Sequence, residues 1–229
     1  MNKNILILSI FILSFLLSCG GDNTTDPPQV KAGFVQIGTQ IWMEKNLDVD
    51  HYRNGDLIPE VKDSATWVTA TTGAWCYYKN DPALGAIYGK LYNWYAVTDP
   101  RGLAPTGSHV PTDAEWKTLE IFLGMKPVDA DKVSWRGTIE GGKLKETGTT
   151  KWKTPNTGAT NLIGFSAIPG GSRSNYSTFY TLYNFARWWS STSYNESDAW
   201  RRSVTHNEST IDRYTAKKTN GFSVRCIQD

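Results

Sequence analysis

Apolar residues crowd the start of this chain and then disperse. Ile5 to Leu17 is apolar except for Ser9 and Ser14, and no later stretch is long enough to cross a membrane. The run holds about 13 residues, short of the roughly 20 that span a bilayer as a helix. Further along, the pattern becomes alternation. Val35-Gln36-Ile37 and Gln40-Ile41-Trp42-Met43 flank Gly38-Thr39 and predict a tight hairpin. Asn54-Gly55-Asp56 is a second turn signal. Leu91, Trp94 and Tyr95 fall at helical spacing and predict a short helix within 88–97. The strongest local signal is Val110-Pro111-Thr112-Asp113-Ala114-Glu115-Trp116. Thr112 and Glu115 can form a capping box, and Asp113 and Glu115 suit the positive end of a helix dipole. Trp116, Leu119 and Leu123 then share one face, with Gly124 as terminator, which predicts a helix over 113–123. From Thr147 onward, glycines and prolines punctuate loops and strands. Segments 186–190, 200–204 and 211–214 read as strands, and 221–227 alternates like a closing strand.

The N-terminal apolar run has the layout of an export signal. Met1-Asn2-Lys3-Asn4 carries one positive charge, and small residues stand where the run ends. Leu16-Leu17-Ser18-Cys19 resembles the bacterial lipobox, in which the cysteine sulfur takes a diacylglycerol group and the signal is cut just before it. A single acyl chain anchors marginally; two meet the requirement for a stable membrane attachment. An ordinary secreted protein cut nearby is the alternative. The stretch from Gly20 to Pro28 is small and polar and reads as a flexible tether. Its Asp22 and Asp26 are either part of a sorting signal or plain linker. The expected organisation is a signal peptide at 1–18, a lipid-bearing Cys19 with its tether at 19–34, and one folded domain at 35–229.

Composition narrows what that domain does. Charge is nearly balanced and the basic residues do not cluster, which argues against nucleic acid as the main partner. All ten tryptophans lie beyond the tether. With abundant glycine and few long helical patterns, this suits many short strands and packed loops, with seven or eight tryptophans in the core. Besides Cys19 there are only Cys76 and Cys226. In an oxidising compartment they are a candidate disulfide, which would close a loop of about 150 residues and be worth roughly 4 to 5 kcal/mol in the chain-entropy model. The alternative is two buried thiols.

Four segments together resemble one family. They are Ile37 to Leu47, Tyr88 to Val97, His109 to Trp116, and Gly221-Phe222-Ser223-Val224-Arg225-Cys226. In combination they are similar to the Fibrobacter succinogenes major paralogous domain, common in lipoproteins of Bacteroidetes and their relatives, over nearly all of the chain after the tether. Members often carry Cys-Pro-x-Gly-Trp-His before the helix, where this chain has Ala104-Pro105-Thr106-Gly107-Ser108-His109. Val110-Pro111-Thr112 through Trp116, with a late Gly-Phe-x-x-Arg, also resembles formylglycine-generating enzymes and other C-type-lectin-like folds. That resemblance implies an α+β domain with two short helices, small twisted antiparallel sheets and long irregular loops, whose first and last strands pair. Fold alone does not set function.

Catalytic candidates are few. His51, His109 and His206 are far apart in sequence, none in a metal-ligand spacing, and no nucleophile elbow or phosphate loop occurs. His109, just before the capped helix, reads as structural. Cys226 has no cysteine near it in sequence, unlike the reactive pair that formylglycine chemistry needs. Calcium-type lectin motifs are missing, and Asp129 with Asp131 and Glu196 with Asp198 read as solvated loops. No cofactor and no metal are expected. What remains is recognition by irregular loops, in which 172–180 and 191–196 mix aromatic faces with short polar groups. Arg173, Tyr176, Tyr180 and Asn195 are the expected ligand contacts. The expectation is a non-catalytic binding domain displayed on the cell envelope, lipid-anchored at the outer membrane, with a glycan or an envelope protein as ligand. The alternatives are a structural or assembly subunit of a surface complex and, below that, an enzyme with an unrecognised site.

Overall fold

The computed structural model describes residues 29–229, so the signal, Cys19 and most of the tether lie outside the described residues. In chain order the elements are β1 (Phe34–Ile37), β2 (Gln40–Met43), α1 (Ser64–Val68), β3 (Trp75–Cys76), α2 (Pro82–Tyr88), β4 (Leu91–Tyr92), α3 (Trp94–Val97), β5 (Ser108–His109), α4 (Asp113–Phe122), α5 (Pro127–Ala130), β6 (Ser134–Arg136), α6 (Glu140–Leu144), β7 (Ser172–Arg173), β8 (Phe179–Tyr180), β9 (Phe185–Ser193), β10 (Asp198–Thr205), β11 (Ile211–Lys217) and β12 (Ile227–Gln228). The architecture is mixed α and β with small antiparallel sheets. One four-stranded sheet has the order β1-β2-β12-β5 and the other β6-β11-β10-β9, while β3-β4 and β7-β8 form two-stranded ribbons. Helical content is spread over more pieces than the expected two, with α4 the longest at ten residues.

The predicted hairpin is β1–β2, with Ile37 opposite Gln40 across Gly38-Thr39. Gly38 has φ +61°, and a Cβ there would stand 2.7 Å from the Phe122 ring, so both backbone and space call for glycine. The last strand joins the same sheet but pairs with β2 and β5, Ile227 facing Trp42 and His109, rather than with β1. The two ends of the described residues still meet: Lys31 N donates to Gln228 Oε1 at 3.1 Å, and Gln228 Nε2 donates to Gln29 O at 2.8 Å.

Helix α4 starts as predicted. Thr112 Oγ1 accepts from Glu115 N, and Glu115 Oε2 accepts from Thr112 N at 2.7 Å. Trp116, Leu119 and Leu123 go into the main core with Ile37 and Trp42 from the first sheet and Trp188, Val204 and Ile211 from the second. The Trp116 ring lies 4.7 Å from Trp42 and 5.8 Å from Trp188, distances at which tilted aromatic pairs add about 0.5–1.5 kcal/mol beyond area burial. Trp42, Trp67, Trp75, Trp94, Trp116, Trp152, Trp188 and Trp189 are buried, and Trp135 is 40% exposed, in line with the expected majority of core tryptophans.

The helix predicted within 88–97 is broken into parts. Tyr88 ends α2, Gly89 turns the chain at φ +76°, and Leu91–Tyr92 form β4 against Trp75–Cys76. Asn93 then caps α3, its Oδ1 accepting from Ala96 N and Ala74 N. The backbone of Tyr92 pairs with Phe222 from the far end of the chain, a tertiary bond that overrides the local helical spacing. The predicted closing strand is also shorter than expected, because 221–226 threads between the sheets on isolated bridges. Its alternation holds. Phe222, Val224 and Cys226 enter the second hydrophobic cluster, while Arg225 turns the other way to the carbonyls of Met43, Phe165 and Ser166.

The expected disulfide is not formed. Cys76 and Cys226 are free and buried, Cys76 beside Trp67, Tyr78 and Leu91 and Cys226 in a different cluster with Tyr92 and Val224. Burial pushes both thiols up to about 12, so neither is a thiolate at neutral pH.

Candidate functional site

The second sheet has two unlike faces. Its inner face carries Arg136, Arg202 and Arg213 against two carboxylates of α4. Arg202 Nη1 lies 2.7 Å from Asp113 Oδ1 and its Nε 2.6 Å from Glu120 Oε1; Arg213 Nη2 lies 2.8 Å from Asp113 Oδ2; Arg136 closes on Glu120. Burial pushes the Asp113 carboxyl up, but the bonds and charges of Arg213 and Arg202 outweigh it and hold it at about 2. All five side chains are buried, and the cluster spends its oxygens joining helix to sheet.

The other face is closed by side chains that reach solvent. Register places Trp135, Asp212, Ser203 and Arg187 in one row across four strands, and Tyr214 opposite Arg201 in the next. Trp135 is 40% and Tyr214 49% exposed, and Phe185, Arg187 and Arg201 are half-buried. Arg187 is stacked 4.2 Å from the Phe185 ring and 5.2 Å from the Tyr180 ring, and Trp135 lies 6.3 Å from Phe185. Arg201 is held by Asp212 and Ser203. Half-burial, with Arg201 nearby, lowers the Arg187 pKa from its ordinary value.

The β7–β8 ribbon brings the predicted loop to the edge of this face. Ser172 pairs with Tyr180, and the turn between them is held by Ser174 Oγ, which accepts from Tyr176 N and Thr178 N. Ser177, Thr181 and Tyr183 all have positive φ, at 68°, 66° and 68°. For a β-branched residue such as Thr181 this is a costly conformation, of order 1–3 kcal/mol, held only by its surroundings. Thr181 Oγ1 accepts from Arg187 Nη1 at 2.6 Å. Tyr183 borders a cleft of about 460 Å³ between 149–154 and 182–184, with Trp152 and Asn184 in its lining.

The four expected contacts separate. Tyr176 is 79% exposed at the ribbon tip, and Tyr180 lies at its base against Arg187. Arg173 is not a surface contact. It is fully buried, stacked 4.3 Å from Trp67, and donates to the carbonyls of Val61, Lys62 and Asp63 and to Ser177 Oγ. Asn195 does not join the others either. Its Oδ1 closes the β9–β10 turn by accepting from Ser197 N and Asp198 N, roughly 25 Å along the strand from Arg187 at the usual rise per residue. The residue that sequence reasoning missed is Arg187. Its signal was parity with Phe185 on a strand whose alternate residues, Ala186 and Trp188, are core.

His109 lies elsewhere, at a cleft of about 410 Å³ lined also by Arg53, Asp99 and Ser191. Both ring nitrogens are taken, Nε2 by Glu115 and Nδ1 by Asp229, each at 2.7 Å. A histidine so held ties β5, α4 and residue 229 together and leaves no ring nitrogen to act as a base. Asp129 and Asp131 are paired with Lys132 and Lys117, and among the described residues no three His, Cys, Asp or Glu side chains converge as a metal site. No described helix is long and apolar enough to cross a membrane.

Residues 35–228 match the family model described as the Fibrobacter succinogenes major domain. No curated protein and no solved structure matches the chain.

Proposed function

We propose that this chain, which belongs to the Fibrobacter succinogenes major domain family, is a non-catalytic binding domain carried on the cell envelope, with a glycan as its ligand. The anchor rests on the segment Leu16 to Cys19 and its lipobox pattern, with the outer membrane as its site. The observation that carries the binding reading is the strained segment 177–183, which sets the ring of Tyr180 and the hydroxyl of Thr181 beside Arg187 and the hydroxyl of Ser172. Saccharides offer apolar C–H faces and hydroxyls together, and rings interleaved with short polar groups meet both. We read the fold as C-type-lectin-like, supported by the adjoining ends of the described residues, the small antiparallel sheets and the long irregular stretch between α6 and β7.

A glycan array probed with the full chain and with Tyr176→Ala and Tyr180→Ala tests the reading. Loss of one stacking ring is worth about 1 kcal/mol, so Tyr180→Ala weakens binding roughly five- to tenfold. An array with no hits, together with stable co-purification with an envelope protein, overturns the glycan reading in favour of an assembly subunit. Mass spectrometry of the mature N-terminus tests the anchor: diacylglycerol on Cys19 supports it, and an unmodified Cys19 behind an intact leader refutes it.

A further inference from the structure

Among the described residues, no carboxylate pairs with Arg187. Its Nη1 donates to the hydroxyls of Ser172 and Thr181 at 2.9 and 2.6 Å. The acidic side chain of the same row, Asp212, is already bound by Arg201. Among the described residues nothing accepts from Arg187 Nε or Nη2, and neither nitrogen is sealed from solvent without a partner. A guanidinium edge with two parallel N–H groups matches the two oxygens of a carboxylate or sulfate. Phe185 and Tyr180 fix the plane of that edge by stacking, which lowers the entropy lost when an anion docks.

Resting on the glycan-binding reading above, we propose that the ligand is an acidic saccharide. Its carboxylate or sulfate docks on the Nε–Nη2 edge of Arg187, and its ring lies against Tyr180. An acidic peptide fits less well. Peptide carboxylates in series call for several free cations, and here Arg201 is neutralised and Arg187 stands alone among rings. A polymer with one acid per sugar unit matches a single guanidinium flanked by aromatic faces.

Calorimetry on the full chain in detergent decides the matter. The probes are polygalacturonate, its methyl ester, heparin, dextran and poly-glutamate, at low and high salt. The expected result is binding of polygalacturonate or heparin that weakens with salt, with the preferred one separating carboxylate from sulfate. Methyl esterification and Arg187→Gln each weaken binding about tenfold or more, and Arg187→Lys restores part of it. The ester comparison uses the parent chain, so it decides the question even where the Gln variant fails to fold. Equal affinity for dextran, the ester and the acid, unchanged by Arg187→Gln, overturns this proposal while leaving glycan binding intact. Preference for poly-glutamate overturns it in favour of a protein ligand. Absence of binding to every saccharide overturns both this proposal and the reading on which it rests.

Discussion

A guanidinium inside a protein costs several kcal/mol unless its N–H groups find oxygens, and Arg173 meets that condition through three carbonyls and the Ser177 hydroxyl. Its acceptors are Val61, Lys62 and Asp63, more than a hundred positions earlier in the chain. Nothing in Ser172-Arg173-Ser174-Asn175-Tyr176 marks Arg173 as buried, because the stretch has the composition of a solvated loop and the oxygens that decide the matter are supplied from afar. Tyr176, three positions on, was legible because its neighbours are all short and polar. Arg173→Ala removes donors from three carbonyls and is expected to cost about 3 kcal/mol or more, whereas Tyr176→Ala, at an exposed tip, stays within about 0.5 kcal/mol. Urea unfolding of the two variants beside the parent checks the contrast, and a Tyr176 variant as unstable as the Arg173 one contradicts this account of the ribbon.

At the scale of elements, what could be read from the sequence was what the element decides by itself. The capping box of α4 needs only Thr112 and Glu115, three residues apart, and the β1–β2 turn needs only Gly38. The segment 88–97 failed as a helix because its hydrogen bonds are made with Phe222 and Trp75, outside its own window. His109 belongs to this scale, since it joins β5 to α4 and to residue 229 through Glu115 and Asp229. Half-burial lowers its pKa, but the bonds to Asp229 and Glu115 outweigh that and raise it above the ordinary 6.5. The Glu115 carboxyl, pushed up by burial, is held below its ordinary 4.5 by Thr112 and His109. A raised histidine contributes stability that is fully present below about 6.5 and is lost as pH rises through the folded value; a lowered carboxylate contributes above about 4.5 and loses it on acidification through its folded value. The clasp is therefore strongest between those limits. The urea midpoint of the parent is expected to fall from pH 6 to pH 8.5 by more than that of His109→Gln, and equal slopes remove the clasp from the account.

For the whole molecule, the question is what holds about 200 residues together without a covalent bridge. Three hydrophobic clusters do so, and Cys76 and Cys226 each sit inside one of them. Sequence could count Cys76 and Cys226 but not place them, because a distance between positions 150 apart is a property of the complete topology. The fold sends Cys76 into the cluster under Trp67 and leaves Cys226 beside Tyr92, each buried in a separate cluster. Burial of that kind makes a thiol inert twice over, since it is closed to reagent and its pKa is pushed up to about 12. Iodoacetamide applied to the native protein should therefore modify neither residue. Applied in urea without reductant, it should modify both, and intact-mass spectra will show two adducts at these positions. The order of addition matters, because a bridge would also protect the native thiols and only the unreduced, unfolded sample separates the two cases. Two adducts there mean that this domain is stabilised without a disulfide. Adducts that need dithiothreitol mean that the two clusters come close enough to be joined, and that the route of 221–226 between the sheets differs from the one described.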